Sequence, residues 1–342
     1  MVEPFEVAGV EVKAGESKTI EIPAARLYTD VETNIPVRII RGKRKGPTVF
    51  ISAAIHGDEL NGIEIIRRLL TKKQLNTLKG TLILIPILNV LGVLNQSRYL
   101  PDRRDLNRSF PGTSKGSLAG RLAHLFLQEI VSKCNYGIDL HTGAIHRSNL
   151  PQIRADLDDE ETLAMARAFG VPVLLNSNIR DGSLRGAAGE MGCKVLLYEA
   201  GEALRFDELS IQAGVSGILN VLAHLQMIRK SRTSKALEPY VARSSNWIRA
   251  NSSGIVSVKA RLGDSVEKGD VIAEIGDPLG DNTIELKAPF SGIVIGQSNI
   301  PLVHEGEAMY HIAAFRKVDN VGEEVELMSD TFLPDDYTSL VQ

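Results

Sequence analysis

The sequence predicts an α/β fold, a mixed central sheet flanked by helices, with a smaller all-β unit following it. From Thr48 onward, continuous apolar runs alternate with stretches of helical period, the pattern of strands buried on both faces and joined by helices. Before that point apolar and polar positions alternate, as in short antiparallel strands. Past the polar segment at 229–235 the chain turns to short strands broken by glycines.

The N-terminal β segment, 1–45, carries Thr19-Ile20-Glu21-Ile22 and Val37-Arg38-Ile39-Ile40 and ends in the basic, solvated turn Arg41-Gly42-Lys43-Arg44-Lys45-Gly46. The α/β unit, 46–230, reads as strand 49–55, helix 59–70, strand 81–88, helix 117–132, strand 136–140, and a strand around Ile153. Helix 159–169, strands 171–175 and 194–198, and a long helix from about 208 to 228 complete it. Arg229-Lys230-Ser231-Arg232-Thr233-Ser234-Lys235 lacks apolar periodicity and reads as a linker to the C-terminal β unit and tail, 231–342. There Gly254-Ile255-Val256 and Gly292-Ile293-Val294 hint at a pseudo-repeat. The unit resembles the barrel-sandwich fold of lipoyl and biotinyl carrier domains. Its hairpin tip, however, reads Leu279-Gly280-Asp281-Asn282 where carriers present a lysine, and Lys287 lies directly against Ala288-Pro289. A structural or capping role is expected, not a tethered cofactor.

The 342 residues suffice for more than one ordinary domain. A net charge of -3, without a Lys/Arg block comparable to a nucleic-acid or anionic-membrane surface, favours a small-molecule partner over either. The start, Val-Glu-Pro-Phe-Glu after Met1, does not read as a signal peptide, and no apolar run approaches the ~20 residues of a membrane span. The chain therefore reads as cytoplasmic, with Cys134 and Cys193 as packing thiols.

Two segments stand at the carboxyl ends of apolar runs: Ile55-His56-Gly57-Asp58-Glu59 and Gly137-Ile138-Asp139-Leu140-His141-Thr142-Gly143. Two histidines and a glutamate so placed supply three of the four ligands of a catalytic zinc, the fourth position holding water. Gly57 permits a sharp strand-to-helix turn that lets His56 and Glu59 face one point. His-x-x-Glu alone also describes a surface carboxylate near a core histidine; His141 strengthens the metal reading. Asp139 is either the partner that fixes a ligand histidine's tautomer or a buried structural acid.

Between these segments, 98–112 is rich in arginine and has neither helical nor strand period. A loop of this length inside a compact domain is often functional. Its arginines can fork onto a carboxylate and Asn107 can add an amide donor, although a solvated basic loop reads the same way.

His56-x-x-Glu59, Asp105-Leu106-Asn107-Arg108, Asp139-Leu140-His141-Thr142-Gly143 and Tyr198-Glu199-Ala200-Gly201 resemble, in order and spacing, the succinylglutamate desuccinylase/aspartoacylase family. That family is similar to the zinc carboxypeptidases in its catalytic core. The resemblance runs from about Gly46 to Ile228 and implies a zinc-dependent catalytic domain at 46–230. It implies one zinc per chain on His56, Glu59 and His141, a substrate carboxylate on Asn107 and Arg108, and Glu199 as the catalytic glutamate. An arginine for the oxyanion is best matched by Arg98, with Arg103 and Arg104 in the same loop. The implied activity is hydrolysis of the amide bond of a small N-acyl amino acid or related N-acyl amine. A zinc carboxypeptidase acting on peptides and a non-catalytic metal-containing binding protein are the alternatives; Glu199 argues against the second. A small-molecule N-acyl substrate is the expected partner, with homo-oligomerisation left open.

Glu202 competes with Glu199 on chemistry alone but lies past the expected strand end. His124 falls on a helix among Leu122, Leu125 and Phe126, and His146 is a candidate for the pocket mouth. His224, His304 and His311 show no partner in sequence. Arg185 reads as a helix-surface residue in preference to a substrate contact.

Overall fold

The computed structural model describes residues 4–177, 181–230, 239–314 and Met328. Of the expected linker at 229–235, residues 231–235 lie outside the described residues, as does the tail beyond 314 apart from Met328. The central sheet runs Ser244–Arg249, Ala308–Ala314, Gly292–Ser298, Arg147–Ala155, Lys194–Glu202, Tyr136–Gly143, Arg44–Ala53, Lys79–Ile85, Glu32–Arg41 and Ser17–Arg26. Its middle four strands, from Lys194–Glu202 to Lys79–Ile85, are parallel. Arg147–Ala155 and Glu32–Arg41 flank them antiparallel. This is the mixed sheet the sequence predicts, and the N-terminal strands extend it.

Successive residues of Arg44–Ala53 serve opposite faces. Val49 and Ile51 join a core under helices Asn61–Leu69, Glu160–Phe169 and Glu208–His224, while Phe50 joins one under Leu118–Glu129 and Leu184–Glu190. All three are fully buried, which is why the strand reads as a continuous apolar run. Several helices start where the sequence offers a cap: Ser117, Asp159 and Asp207 accept from the backbone N–H of Gly120, Thr162 and Ser210. The first long helix begins at Asn61, two residues later than expected, because 56–60 form the turn that presents His56 and Glu59. Helix Leu184–Glu190 carries Arg185; its seven residues with two glycines show no clear apolar period.

In the C-terminal region a four-stranded sheet of Thr283–Lys287, Val271–Gly276, Gly254–Val258 and Leu302–Val303 packs over a core containing Ile272, Ile275, Val294 and Ile312. The opposing layer is the end of the central sheet itself. Gly292–Ser298 pairs with Arg147–Ala155 through Gly296 opposite Asn149 and Ser298 opposite Arg147. The C-terminal strands are thus joined by backbone hydrogen bonds to the strand that borders the site. As expected from sequence, Lys287 lies in a strand and 279–282 in the hairpin loop.

Candidate metal centre

His56 and Glu59 stand just past the end of strand Arg44–Ala53, and His141 lies on its parallel neighbour Tyr136–Gly143. The carboxyl ends of parallel strands are where open α/β sheets place their ligands. Ala54 holds a φ of 52°, a left-handed conformation uncommon outside glycine, at the break that leads to His56. Gly57 serves a different purpose from the expected one. A Cβ there would fall 1.9 Å from the carbonyl carbon of Gly92, so it is the close passage of two backbones that excludes a side chain.

His56 Nδ1 lies 2.7 Å from Glu59 Oε1 and His141 Nδ1 lies 2.8 Å from Glu59 Oε2. One ligand atom from each residue falls within 4.8 Å of the others, and all three residues are buried. Each imidazole is fixed from behind by a carboxylate. His56 Nε2 meets Asp105 Oδ1 at 3.1 Å, and His141 Nε2 meets Asp139 Oδ2 at 2.7 Å. Ser52, opposite Asp139 in the ladder, donates its hydroxyl to the other Asp139 oxygen at 2.7 Å. Such pairs set the tautomer and leave Nδ1 as the ligand atom. Asp139 is buried and bonded to His141, the contact its first sequence reading needs. Asp105 carries no separate signal in sequence beyond its place in the Asp-Leu-Asn-Arg motif.

Electrostatics couple the three residues. Burial by itself would raise the Glu59 pKa, but His56 and His141 overcome it and hold the carboxylate well below its ordinary range. Burial likewise opposes charge on His141, yet Asp139 and Glu59 raise its pKa well above the usual histidine value. Two imidazole nitrogens and one carboxylate, buried and with their outer atoms fixed, fit the ligand set of a divalent ion such as zinc.

A cavity of about 220 Å³ opens over the triad and is lined by Arg98, Asn107, Arg108 and Glu199 as well. The structure therefore brings together all seven residues singled out for the site. Arg98 donates to Asp105 Oδ2 at 2.9 Å and reaches Glu59 Oε1 at 3.4 Å, while Arg103 and Arg104 are exposed and line no part of the cavity. Asn107 is held by accepting the Leu184 N–H at 2.9 Å, which leaves its amide nitrogen as a donor. Glu199 is the ladder neighbour of His141. Glu202 belongs to the same strand but is engaged elsewhere, accepting from the His146 backbone N–H at 3.0 Å and from Asn299 at 2.8 Å.

His146 does not line the cavity. Arg185, read as a surface residue, does, and donates to the Ser177 carbonyl at 2.9 Å. Arg147, Asn149, Arg154 and Trp247 also line it without having been singled out. Polar residues set in the largely buried strand Arg147–Ala155 are a signal that could have found Asn149 and Arg154; nothing local marks Trp247.

Residues 45–225 match the succinylglutamate desuccinylase/aspartoacylase catalytic domain. The chain is 27% identical over 293 residues to the N-alpha-acetyl-L-2,4-diaminobutyric acid deacetylase of Halomonas elongata, covering 82% of this chain and 85% of that one. It is 28% identical over 201 residues to the succinylglutamate desuccinylase of Pseudomonas aeruginosa, covering 54% and 59%. Among solved structures it is similar to the ectoine utilization protein EutE (DoeB) of Ruegeria pomeroyi, with a TM-score of 0.78, 24% identity and coverage of 87% and 95%. An aspartoacylase family protein of Mesorhizobium loti aligns with a TM-score of 0.74 and 25% identity over 92% of this chain and all of that one. With the family's domain matched over more than half its length, this chain belongs to the succinylglutamate desuccinylase/aspartoacylase family.

Proposed function

We propose that this chain is a zinc-dependent amidohydrolase that removes the acyl group from the amino nitrogen of a small N-acyl amino acid or related amine. The observation that carries the reading is the position of Glu199, beside His141 in the ladder and facing the same cavity as the His56–Glu59–His141 triad. The named relatives, a deacetylase and a desuccinylase, support it.

A zinc on His56, Glu59 and His141 would polarise the amide carbonyl and lower the pKa of a water to roughly 7. Glu199 takes a proton from the attacking water and delivers it to the departing amine. Arg98, its guanidinium set between Glu59 and Asp105, donates to the tetrahedral oxyanion; losing one such donor typically lowers the rate by about 10²–10³-fold. Arg108 and the free amide nitrogen of Asn107 hold the substrate carboxylate. Among the described residues no helix is long and apolar enough to cross a membrane, and the buried free thiols of Cys134 and Cys193 fit a reducing compartment such as the cytoplasm.

The test is amine release by zinc-loaded protein from N-acetyl, N-succinyl and N-formyl amino acids, N-acetyl-diaminobutyrate among them. Release by the wild type that Glu199→Gln abolishes supports the reading. Absence of release from every member of the panel overturns it.

A further inference from the structure

One buried side chain in the cavity bonds directly to Glu199. Asn149, 7% exposed, donates from Nδ2 to Glu199 Oε2 at 2.8 Å. On the other side of the same carboxylate, Arg154 Nε stands 3.9 Å from Oε1. That is an ion-pair distance but beyond a hydrogen bond, and Arg154 Nε is buried with no hydrogen-bond partner. A buried donor left unmet is costly, and a guanidinium–carboxylate bond is stronger than one from a neutral amide. Released from Asn149, the carboxylate would gain by swinging onto Arg154, which would shift it from the position Asn149 holds.

The backbone aims Asn149 at this task. Strand Arg147–Ala155 faces Lys194–Glu202 with Gln152 opposite Glu199 and Asn149 opposite Gly201, three steps on one strand against two on the other. The extra residue makes a β-bulge, a device that re-aims side chains. On its far side Asn149 is pinned by the ladder to Gly296 of the C-terminal region, where a Cβ would come within 3.0 Å of Asn149 Oδ1.

We propose that Asn149 is the positioning residue for Glu199, holding its carboxylate toward the metal triad and away from Arg154. This rests on the reading of Glu199 as the base. The test uses the full-length, zinc-loaded protein with Asn149→Leu, and with Asn149→Ser, whose hydroxyl is too short to reach Glu199, as the milder variant if the first fails to fold. In a crystal structure of the variant, Glu199 should lie within hydrogen-bond distance of Arg154 Nε. The kcat should fall about 10²-fold with KM within twofold of wild type and zinc content full. Added to Glu199→Gln, the same change should cause no further loss. A Glu199 side chain unmoved in the variant, or a loss expressed wholly in KM, would overturn the proposal. The crystallographic arm needs no turnover, so an inactive wild type would count against the base assignment while an unmoved Glu199 would count against Asn149.

Discussion

Asp105 and His56, 49 positions apart in sequence, meet through Oδ1 and Nε2 at 3.1 Å. The contact fixes the imidazole so that Nδ1 faces Glu59, and the second Asp105 oxygen holds Arg98 at 2.9 Å. One carboxylate therefore orients both the histidine proposed as a metal ligand and the arginine proposed for the oxyanion. Asp105→Ala should weaken zinc binding by about 10–100-fold, the usual effect of removing such a partner, and lower the rate as Arg98 loses its anchor. Competition against a chelator of known affinity reads the first effect; an affinity equal to wild type would remove Asp105 from the metal site.

Glu199 and Glu202 are separated by their company. Glu199 faces the cavity beside His141, whereas Glu202 is spent on Asn299 and the His146 backbone. Glu199→Gln should keep full zinc and lose nearly all turnover, since the amide is isosteric but accepts no proton. Glu202→Gln should keep most of its turnover with some loss of thermal stability. The reverse pattern in paired rate measurements would transfer the base role to Glu202.

On helix Asn61–Leu69, Glu64 accepts from Arg67 Nε at 2.6 Å and Arg68 Nε at 2.7 Å, and Arg68 ties this helix to Glu208–His224 by donating to Glu208 at 2.6 Å. Hydrogen bonding to Arg67, then to Arg68, brings the Glu64 pKa down from 4.5 to about 2. A depressed carboxylate stabilises the fold above its unfolded pKa and loses that contribution as pH falls through the folded one. Glu64→Gln should therefore melt below wild type at neutral pH, with the gap closing between about 4.5 and 2. Melting curves separated by the same interval at every pH would contradict this.

What the sequence makes legible follows from how local each signal is. The parallel strands and their helices carry their own periodicity, and His56, Glu59 and His141 sit in short motifs at strand ends, so both could be read without pairing information. Asn149 and Glu199 are 50 positions apart and meet only through antiparallel pairing and a bulge, which no local pattern encodes. Arg185 sits on a helix of seven residues, too short for periodicity to tell its cavity face from its solvent face. Trp247 is the extreme case. It reaches the cavity because strand Ser244–Arg249 pairs with Ala308–Ala314, which pairs with Gly292–Ser298, which pairs with the Asn149 strand.

That chain of pairings bears on what the cavity admits. The Trp247 ring stacks on His311 with centroids 4.8 Å apart and planes 10° from parallel, and the Arg147 guanidinium lies 5.1 Å from the same ring. Arg147 and Trp247 both line the cavity, so an aromatic ring backed by a second one borders it on the C-terminal side. At about 220 Å³ the space falls below the roughly 300–1,000 Å³ typical of pockets for drug-sized ligands. A peptidase needs a groove along which the substrate chain can leave the metal, and a small cavity edged by Trp247 is a poor fit to one. The protein should hydrolyse small N-acyl amino acids and act little on peptides of four or more residues, and Trp247→Ala should raise KM for the small substrates by loosening their fit. Efficient release of C-terminal residues from such peptides by the wild type, abolished by Glu199→Gln, would establish the carboxypeptidase reading instead.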